Sequence, residues 1–399
     1  MIVKILLIAC LMLAMIPIRN KKTEAFATSI IFGVMICIFS LNNSSLDQYA
    51  YSILYEDHSY FSVESGYIAL ITLSAKLGFN YIQFKALIML AAFILLHSRI
   101  KNYKHINIRK VLLLWGFTSF WFDIEQSRYM IAACIVIFAT KYLETWRIGN
   151  FIKFVLLILL AFTIHTTMIV FLSLTLVYCN KKFLNVVAVV SCIVTGLFVF
   201  MGGEIEIIGQ LIYKVIPNKR ILMWFSFHTH WGWLGPVSVQ FFIFGTLWYW
   251  RRTLSKGRGA VGLSPNETSF LTSVYKIFLV SFLFMPMYVV STEFLRLIRG
   301  LLLLYFSCVS IYYAHANARG RSFIVLASVV FIVLFNVQGL NGILFYNDYF
   351  VEYMILQNDI NSTHYWILLL SIVSVVVYVI TTFHRKLRLS PCKTDFEKT

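Results

Sequence analysis

Charge is what this chain has least of. Asp, Glu, Lys and Arg make up 13% of its 399 residues, whereas a soluble domain carries about a quarter. That shortage excludes an ordinary water-soluble enzyme. Metal-binding cysteine patterns are missing as well. Cys10, Cys37, Cys134, Cys179, Cys192, Cys308 and Cys392 form neither a CxxC nor a CxxH spacing, and most fall inside apolar runs. They read as small buried hydrophobes, and neither a disulfide framework nor a metal site is expected. Internal repeats, low-complexity tracts and a soluble domain are also lacking, so 1–399 reads as a single integral membrane domain. No small-residue cleavage site precedes Arg19, which makes the first apolar run a retained helix rather than a signal peptide.

What the chain does have is 60% hydrophobic and 17% aromatic residues, gathered in runs that approach the roughly 20 residues needed to cross a bilayer. Only helices and closed barrels satisfy every backbone group in lipid. The runs are continuous rather than alternating, so the fold class is all-α, a polytopic transmembrane helical bundle. Helices are predicted at 2–18, 25–41, 81–97, 111–122, 129–143, 151–164, 166–179, 183–201, 233–250, 270–290, 297–315, 322–340 and 365–383. Segment 66–77 is too short to span alone and belongs at the interface or dips inward. Re-entrant or broken helices are expected within 66–97 and 151–179.

The formal charge of +17 would suggest nucleic acid in a soluble protein. Its placement argues otherwise. Seven basic segments hold 24 of the 34 Lys and Arg residues: 19–22, 99–110, 141–153, 181–182, 251–258, 319–321 and the tail from Arg385. Cytoplasmic loops are marked by such Lys and Arg content. The alternate loops carry 12 of the 17 carboxylates. This alternation predicts about 13 crossings, give or take one or two, with the N-terminus outside and a basic cytoplasmic tail at 384–399. Membrane topology accounts for the charge without a nucleic-acid partner. Three outer loops are long enough to carry function: 42–66, 202–232 and 341–364. In the second, EIEIIGQLIYKVI has helical apolar spacing and suits an amphipathic surface helix.

Several polar side chains interrupt apolar sequence at the predicted outer face. Asp123, Glu125, Gln126 and Arg128 lie between VLLLWGFTSFWF and YMIAACIVIFA. An Arg beside hydrocarbon points to a cavity, a partner or a phosphate, and its planar fork suits phosphate oxygens. An ion pair with Asp123 or Glu125 at the turn is the alternative. His165 sits within a 28-residue run, FIKFVLLILLAFTIHTTMIVFLSLTLVY. That run is too long for one span and short for two, so His165 belongs at a break or hairpin apex, as a proton carrier or as a structural residue bonded to Thr166 or Thr167. Asp47, Tyr51 and Tyr55 are spaced four apart and share a face on a helix. With Asn42 and Asn43 they suit sugar hydroxyls, or else supply an interfacial aromatic belt. Arg296 and Arg299 are three apart, with Glu293 ahead of them. They are suited to clamp a diphosphate or to snorkel, and Glu293 to act as an ion-pair partner or a base.

In order, DQYAYSILY from Asp47, ESGY from Glu64, DIEQSRYMIA from Asp123, HTTMIV from His165 and the Arg-bearing stretch Glu293 to Phe306 resemble the EpsG-like and Wzy-type polymerases of bacterial O-antigen, capsule and exopolysaccharide assembly. The likeness covers roughly 40–310. Glu125 departs from the Asp-to-Arg motif, and either Arg296 or Arg299 matches the later arginine. The resemblance implies a polymerase needing no metal, nucleotide or other cofactor, at the outer face of the bacterial cytoplasmic membrane. It would join glycans carried on undecaprenyl diphosphate. Donor and acceptor lipid-linked glycans, membrane lipid, a chain-length regulator and a flippase would be its partners. On this reading His165, Arg128 and Glu293 are catalytic, and Asp47, Tyr51, Asp123, Gln126, Arg296 and Arg299 bind substrate. A glycan ligase using the same lipid carrier, or a flippase of lipid-linked sugars, is the alternative.

Overall fold

The length of each apolar run, with the bilayer it must cross, sets the architecture. In this computed structural model the described residues are 18, 20–42, 46–57, 63–202, 205–215, 225, 232–253 and 263–344. The expected helices at 2–18 and 365–383, most of loop 341–364, Lys219 and Arg220 of loop 202–232, and the tail 384–399 lie outside them. The described residues form helices joined by short turns and contain no strand. In order they form α1 (Lys21–Leu41), α2 (Leu46–Glu56), α3 (Ser65–Lys76), α4 (Tyr81–Ile100), α5 (Ile108–Gly116), α6 (Phe120–Glu125), α7 (Ser127–Ala139), α8 (Ile148–Ile164), α9 (Lys181–Met201), α10 (Ile205–Val215), α11 (Leu234–Thr253), α12 (Pro265–Val280), α13 (Met285–Val290), α14 (Leu295–Arg299), α15 (Leu302–His315) and α16 (Ala318–Leu344). Short 3-10 turns link several of these, and a long 3-10 segment covers Thr166–Tyr178.

Among the described residues, six helices are long and apolar enough to cross a membrane. They divide by position. The span 265–290 is 78% buried and 295–315 is 89% buried, so these two form the axis of the bundle. The spans 181–201 and 318–336 are only 22% and 28% buried and lie outside. Val186, Val189, Val190, Ile193 and Leu197 on α9 are exposed. Water would penalise so continuous an apolar face, whereas hydrocarbon accepts it.

The 28-residue run turns back on itself at His165. There the backbone leaves the helix for an extended conformation, φ −150° and ψ 114°. Beyond it the 3-10 geometry has a mechanical consequence. At about 2.0 Å per residue the 13 residues of Thr166–Tyr178 rise about 26 Å, and the 17 residues of α8 rise about the same at 1.5 Å each. The two arms are therefore equal in length. Trp146 packs on Tyr178 at the open end, with ring centroids 4.5 Å apart, and Tyr178 Oη donates to the Tyr142 carbonyl at 2.8 Å. His165 is left at the opposite end, the apex expected from run length.

The bundle has two chemically distinct ends. At one, Arg99 pairs with Glu144 at 2.7 Å, Arg109 with Glu24 at 3.4 Å, and Lys110 and Arg321 lie against the Tyr313 ring. This basic end gathers the loops at 99–110 and 141–147. The other end holds Asp47, Glu64, Asp123, Arg128, His165 and Arg296. Segment 66–97 consists of two separate helices, α3 and α4, turned at Gly78, whose φ of 80° suits glycine. Helix α3 lies at the second end with Tyr67 and Ile71 fully buried. The stretch 42–66 is not wholly loop, since it contains α2 with Tyr51, Leu54 and Tyr55 buried. Helix α10 forms where an amphipathic helix was expected, with Ile207 and Leu211 exposed.

Candidate functional site

Two helix breaks build this site. The first separates α6 from α7 at Gln126, where φ −111° and ψ 65° are not helical. A helix end leaves carbonyls unpaired, and here Gln48 of α2 meets them. Its side-chain amide donates to the Ile124 carbonyl at 2.7 Å and to the Glu125 carbonyl at 2.9 Å, while Tyr81 Oη donates to its Oε1 at 2.8 Å. Arg128 thus enters in the first turn of α7, at the rim rather than in mid-bundle. The second break is His165. The N-terminus of the following 3-10 segment is capped from a different element: Glu64 Oε1 accepts from Thr166 N at 3.0 Å and from Thr166 Oγ1 at 3.1 Å.

Glu64 joins the two breaks, because its other oxygen pairs with Arg128 Nη1. Arg128 Nε also donates to Tyr51 Oη at 3.1 Å, and its guanidinium lies 5.1 Å from the Tyr51 ring centroid and 5.8 Å from that of Tyr67. The alternative, a local pair between Arg128 and Asp123 or Glu125, is not formed; Arg128 pairs with Glu64. Helix α7 turns the guanidinium toward α2 and α3, away from the turn that precedes it. Burial alone would raise the Glu64 carboxyl; the Arg128 charge and the Thr166 N–H outweigh it and hold it below the usual carboxylate range.

Asp123 instead faces Arg299. Its Oδ1 is 3.1 Å from Arg299 Nε, a charge contact without hydrogen-bond alignment, and its Oδ2 accepts from Trp115 Nε1 at 2.7 Å. Arg299 Nη2 donates to Gln126 Oε1 at 2.5 Å, and the guanidinium lies 4.7 Å from the Tyr129 ring centroid. Asp123, Gln126 and Arg299 therefore form a buried knot between α6, α7 and α14. Arg296 is differently placed. It donates from Nη2 to Glu293 Oε2 at 3.0 Å and from Nε to the Glu293 carbonyl at 2.8 Å, and the Glu293 side chain is 55% exposed. The two arginines do not share one open face.

His165 is buried between these groups. Its Nδ1 is 2.8 Å from Thr167 Oγ1, and its ring meets Tyr129 edge-on at 5.6 Å. Tyr129 Oη donates to the Arg296 carbonyl, an approach open because residue 300 is glycine; a Cβ there would stand 2.7 Å from that hydroxyl. Burial first, and then the charge of Arg296, hold the His165 imidazole well below its usual range, so it is neutral at pH 7. Asp47 is exposed in the first turn of α2, within reach of the charges of Arg296, Arg128 and Glu293. It therefore shares the electrostatic environment of both arginines.

Tyr51, Arg128, His165, Arg296, Arg299, Asp123 and Gln126 are thus connected through Glu64 and Tyr129, and Asp47 and Glu293 stand at the edge. Tyr55 is excluded, since its hydroxyl donates to the Phe79 carbonyl at 2.5 Å and lies 3.1 Å from Ser74 Oγ. Sequence reasoning did not single out Glu64, Gln48 or Tyr129 as site residues. Glu64 stands in ESGY and Gln48 beside Asp47, so position in those stretches was the available signal.

The EpsG family model matches residues 25–355 of the chain. Neither a curated protein nor a solved structure matches the chain.

Proposed function

We propose, from the premise that this chain belongs to the EpsG family, that it polymerises oligosaccharide repeat units carried on undecaprenyl diphosphate, at the outer face of the bacterial cytoplasmic membrane. The family places the protein among membrane proteins of the polysaccharide-polymerase type. The observation that carries the finer reading is that Glu64 ties Arg128 to the break at His165, and Tyr129 ties the buried His165 ring to the Arg296 backbone, at the less basic end of an apolar bundle.

The chemistry needs two things from the protein. A departing diphosphate must be stabilised, and an acceptor hydroxyl must lose its proton. Arg296 is the arginine best able to exchange partners. Its partner Glu293 is more than half exposed while the guanidinium side is mostly covered; a pair with one solvated partner is worth on the order of 1 kcal/mol, so a diphosphate can displace the carboxylate. Arg128 supplies a second cation, aimed by Tyr51 and Glu64. In the reaction the acceptor oxygen bonds to the donor's anomeric carbon. The bond from that carbon to the phosphate oxygen breaks, and undecaprenyl diphosphate leaves with the electron pair. The hydroxyl proton goes to His165 Nε2, Nδ1 donating meanwhile to Thr167 Oγ1. Positive neighbours suppress the basicity of His165 in the free site. An arriving diphosphate neutralises them and restores it. Asp47 and Tyr51 face the sugar, and Asp123, Gln126 and Arg299 hold the frame.

The test supplies purified protein in lipid vesicles with a defined lipid-linked repeat unit. Wild type gives a ladder of polymer lengths. Arg128→Ala and His165→Ala, inserted normally, give at least about 100-fold less, the usual scale for losing charge stabilisation or a general base. Two variants that polymerise at the wild-type rate overturn the assignment. One transfer product without a ladder identifies a ligase instead.

A further inference from the structure

At the basic end, away from the site above, three side chains from distant parts of the sequence converge. His105 lies between α4 and α5, Glu267 in the first turn of α12, and His315 at the end of α15. Their ligand atoms all lie within 4.8 Å of one another. His105 Nδ1 is 2.9 Å from Glu267 Oε1 and 3.2 Å from His315 Nε2, and Glu267 Oε2 is 4.0 Å from His315 Nε2. Glu267 is fully buried.

Proton counting makes this trio unusual. A carboxylate oxygen carries no proton, and a neutral imidazole carries one, on one nitrogen only. Were both facing nitrogens protonated, two N–H groups would collide across 3.2 Å. With both imidazoles neutral, the three facing atoms therefore share at most one proton, and at least two of them present lone pairs to each other. A divalent cation satisfies all three at once. The two imidazole nitrogens, 3.2 Å apart, already have the spacing of tetrahedral ligands, since nitrogens 2.0–2.1 Å from zinc are about 3.3 Å from each other; the Glu267 carboxylate, 4.0 Å from His315, has to close by several tenths of an ångström.

We propose that His105 Nδ1, His315 Nε2 and a Glu267 carboxylate oxygen form a zinc-class metal site that clips these three segments together at the basic end. Two imidazoles and one carboxylate form a borderline-soft set suited to Zn²⁺, with a fourth position open. The outer partners are in place. Glu267 Oε2 accepts from Ser264 N at 3.0 Å and from Ser264 Oγ at 3.1 Å, and Oε1 accepts from His105 N at 3.0 Å. Ser310 Oγ donates to the His105 carbonyl at 3.2 Å and accepts from Asn107 N at 2.7 Å, which fixes the loop to α15. Such contacts orient ligands before metal arrives. The His105 side chain is 29% exposed, which gives an ion its way in. A cation here would tie together segments 162 and 210 residues apart in sequence, a structural clip independent of the polymerase chemistry.

The experiment uses the full chain in lipid nanodiscs, with any affinity tag removed, stripped with EDTA and then titrated with zinc chloride. Wild type should bind one zinc per chain, with a rise in melting temperature as zinc is added. Cobalt in place of zinc should give the intense visible absorption of low-coordinate Co²⁺. Outer-shell partners alone are worth about 10- to 100-fold in metal affinity, so His315→Gln and Glu267→Gln should each weaken zinc by about 100-fold or more. Gln at 267 preserves the capping box with Ser264, which protects the fold of that variant. No zinc on wild type, an octahedral cobalt spectrum, or zinc binding unchanged in both variants overturns the site. The cobalt spectrum of wild type decides even if a variant fails to fold.

Discussion

Two arginines three residues apart carry opposite expectations. Arg299 is enclosed with Asp123 and Gln126, and removing it strands a buried carboxylate, a loss of about 3–5 kcal/mol. Arg296 is held by an exposed partner, and removing it should change stability by about 1 kcal/mol or less. Arg299→Ala should therefore lower the melting temperature sharply, with Asp123→Asn added to it restoring part of the loss. Arg296→Ala should melt like wild type and instead raise the KM for the lipid-linked donor. Thermal unfolding and a donor titration on the same preparations separate the two. The reverse pattern would give Arg299 the direct role. Sequence placed both side chains at one face by helical spacing and offered Glu293 as an ion-pair partner, which Arg296 takes; it could not separate the two arginines, because the partners of Arg299 lie far off in sequence on α6 and at the start of α7.

Among elements, the most constrained contact is between α3 and the top of α8. Gly66 approaches so closely that a Cβ would stand 2.3 Å from Thr163 Oγ1 and 2.7 Å from the Thr163 carbonyl oxygen. Gly66→Ala must push α3 away from α8, an overpacking cost of about 1–3 kcal/mol. The same shift draws Glu64, two residues earlier, off Thr166 and Arg128. Expected results are a lower melting temperature and a shorter polymer ladder together. Adding Thr163→Ala should not rescue them, since the backbone carbonyl remains in the way; full rescue would show that the contact is with the side chain alone. The break at His165 was legible because 28 apolar residues exceed one span. The 3-10 form of its second arm was not, as no run length distinguishes 13 residues at a rise of about 2.0 Å from 17 at 1.5 Å.

For the whole molecule, the proposed sidedness follows from charge and the two ends of the bundle. In a cysteine-free background, a single cysteine at Lys104 or Arg147 should react with a membrane-impermeant maleimide only in inverted vesicles. One at Asp57 or Glu293 should react in intact cells. Labelling with the opposite sidedness would remove the outer-face assignment while leaving the fold untouched. Sequence by itself determined the helical class, the positions of the six long apolar helices among the described residues, and the family. Each is a local property: an apolar run must be long enough for the bilayer, and its flanking charges bias the loops. Only the tertiary structure decided which polar groups meet. Arg128 finds Tyr51 at a separation of 77 residues and Glu64 at 64, Tyr129 reaches the Arg296 carbonyl across 167, and Arg299 reaches Gln126 across 173. No periodicity records such pairings, because they are set by which helix packs against which. The charged turn at Asp123 to Arg128 shows the difference: its place at a helix break was readable, but its two ionic ends proved to serve different neighbours.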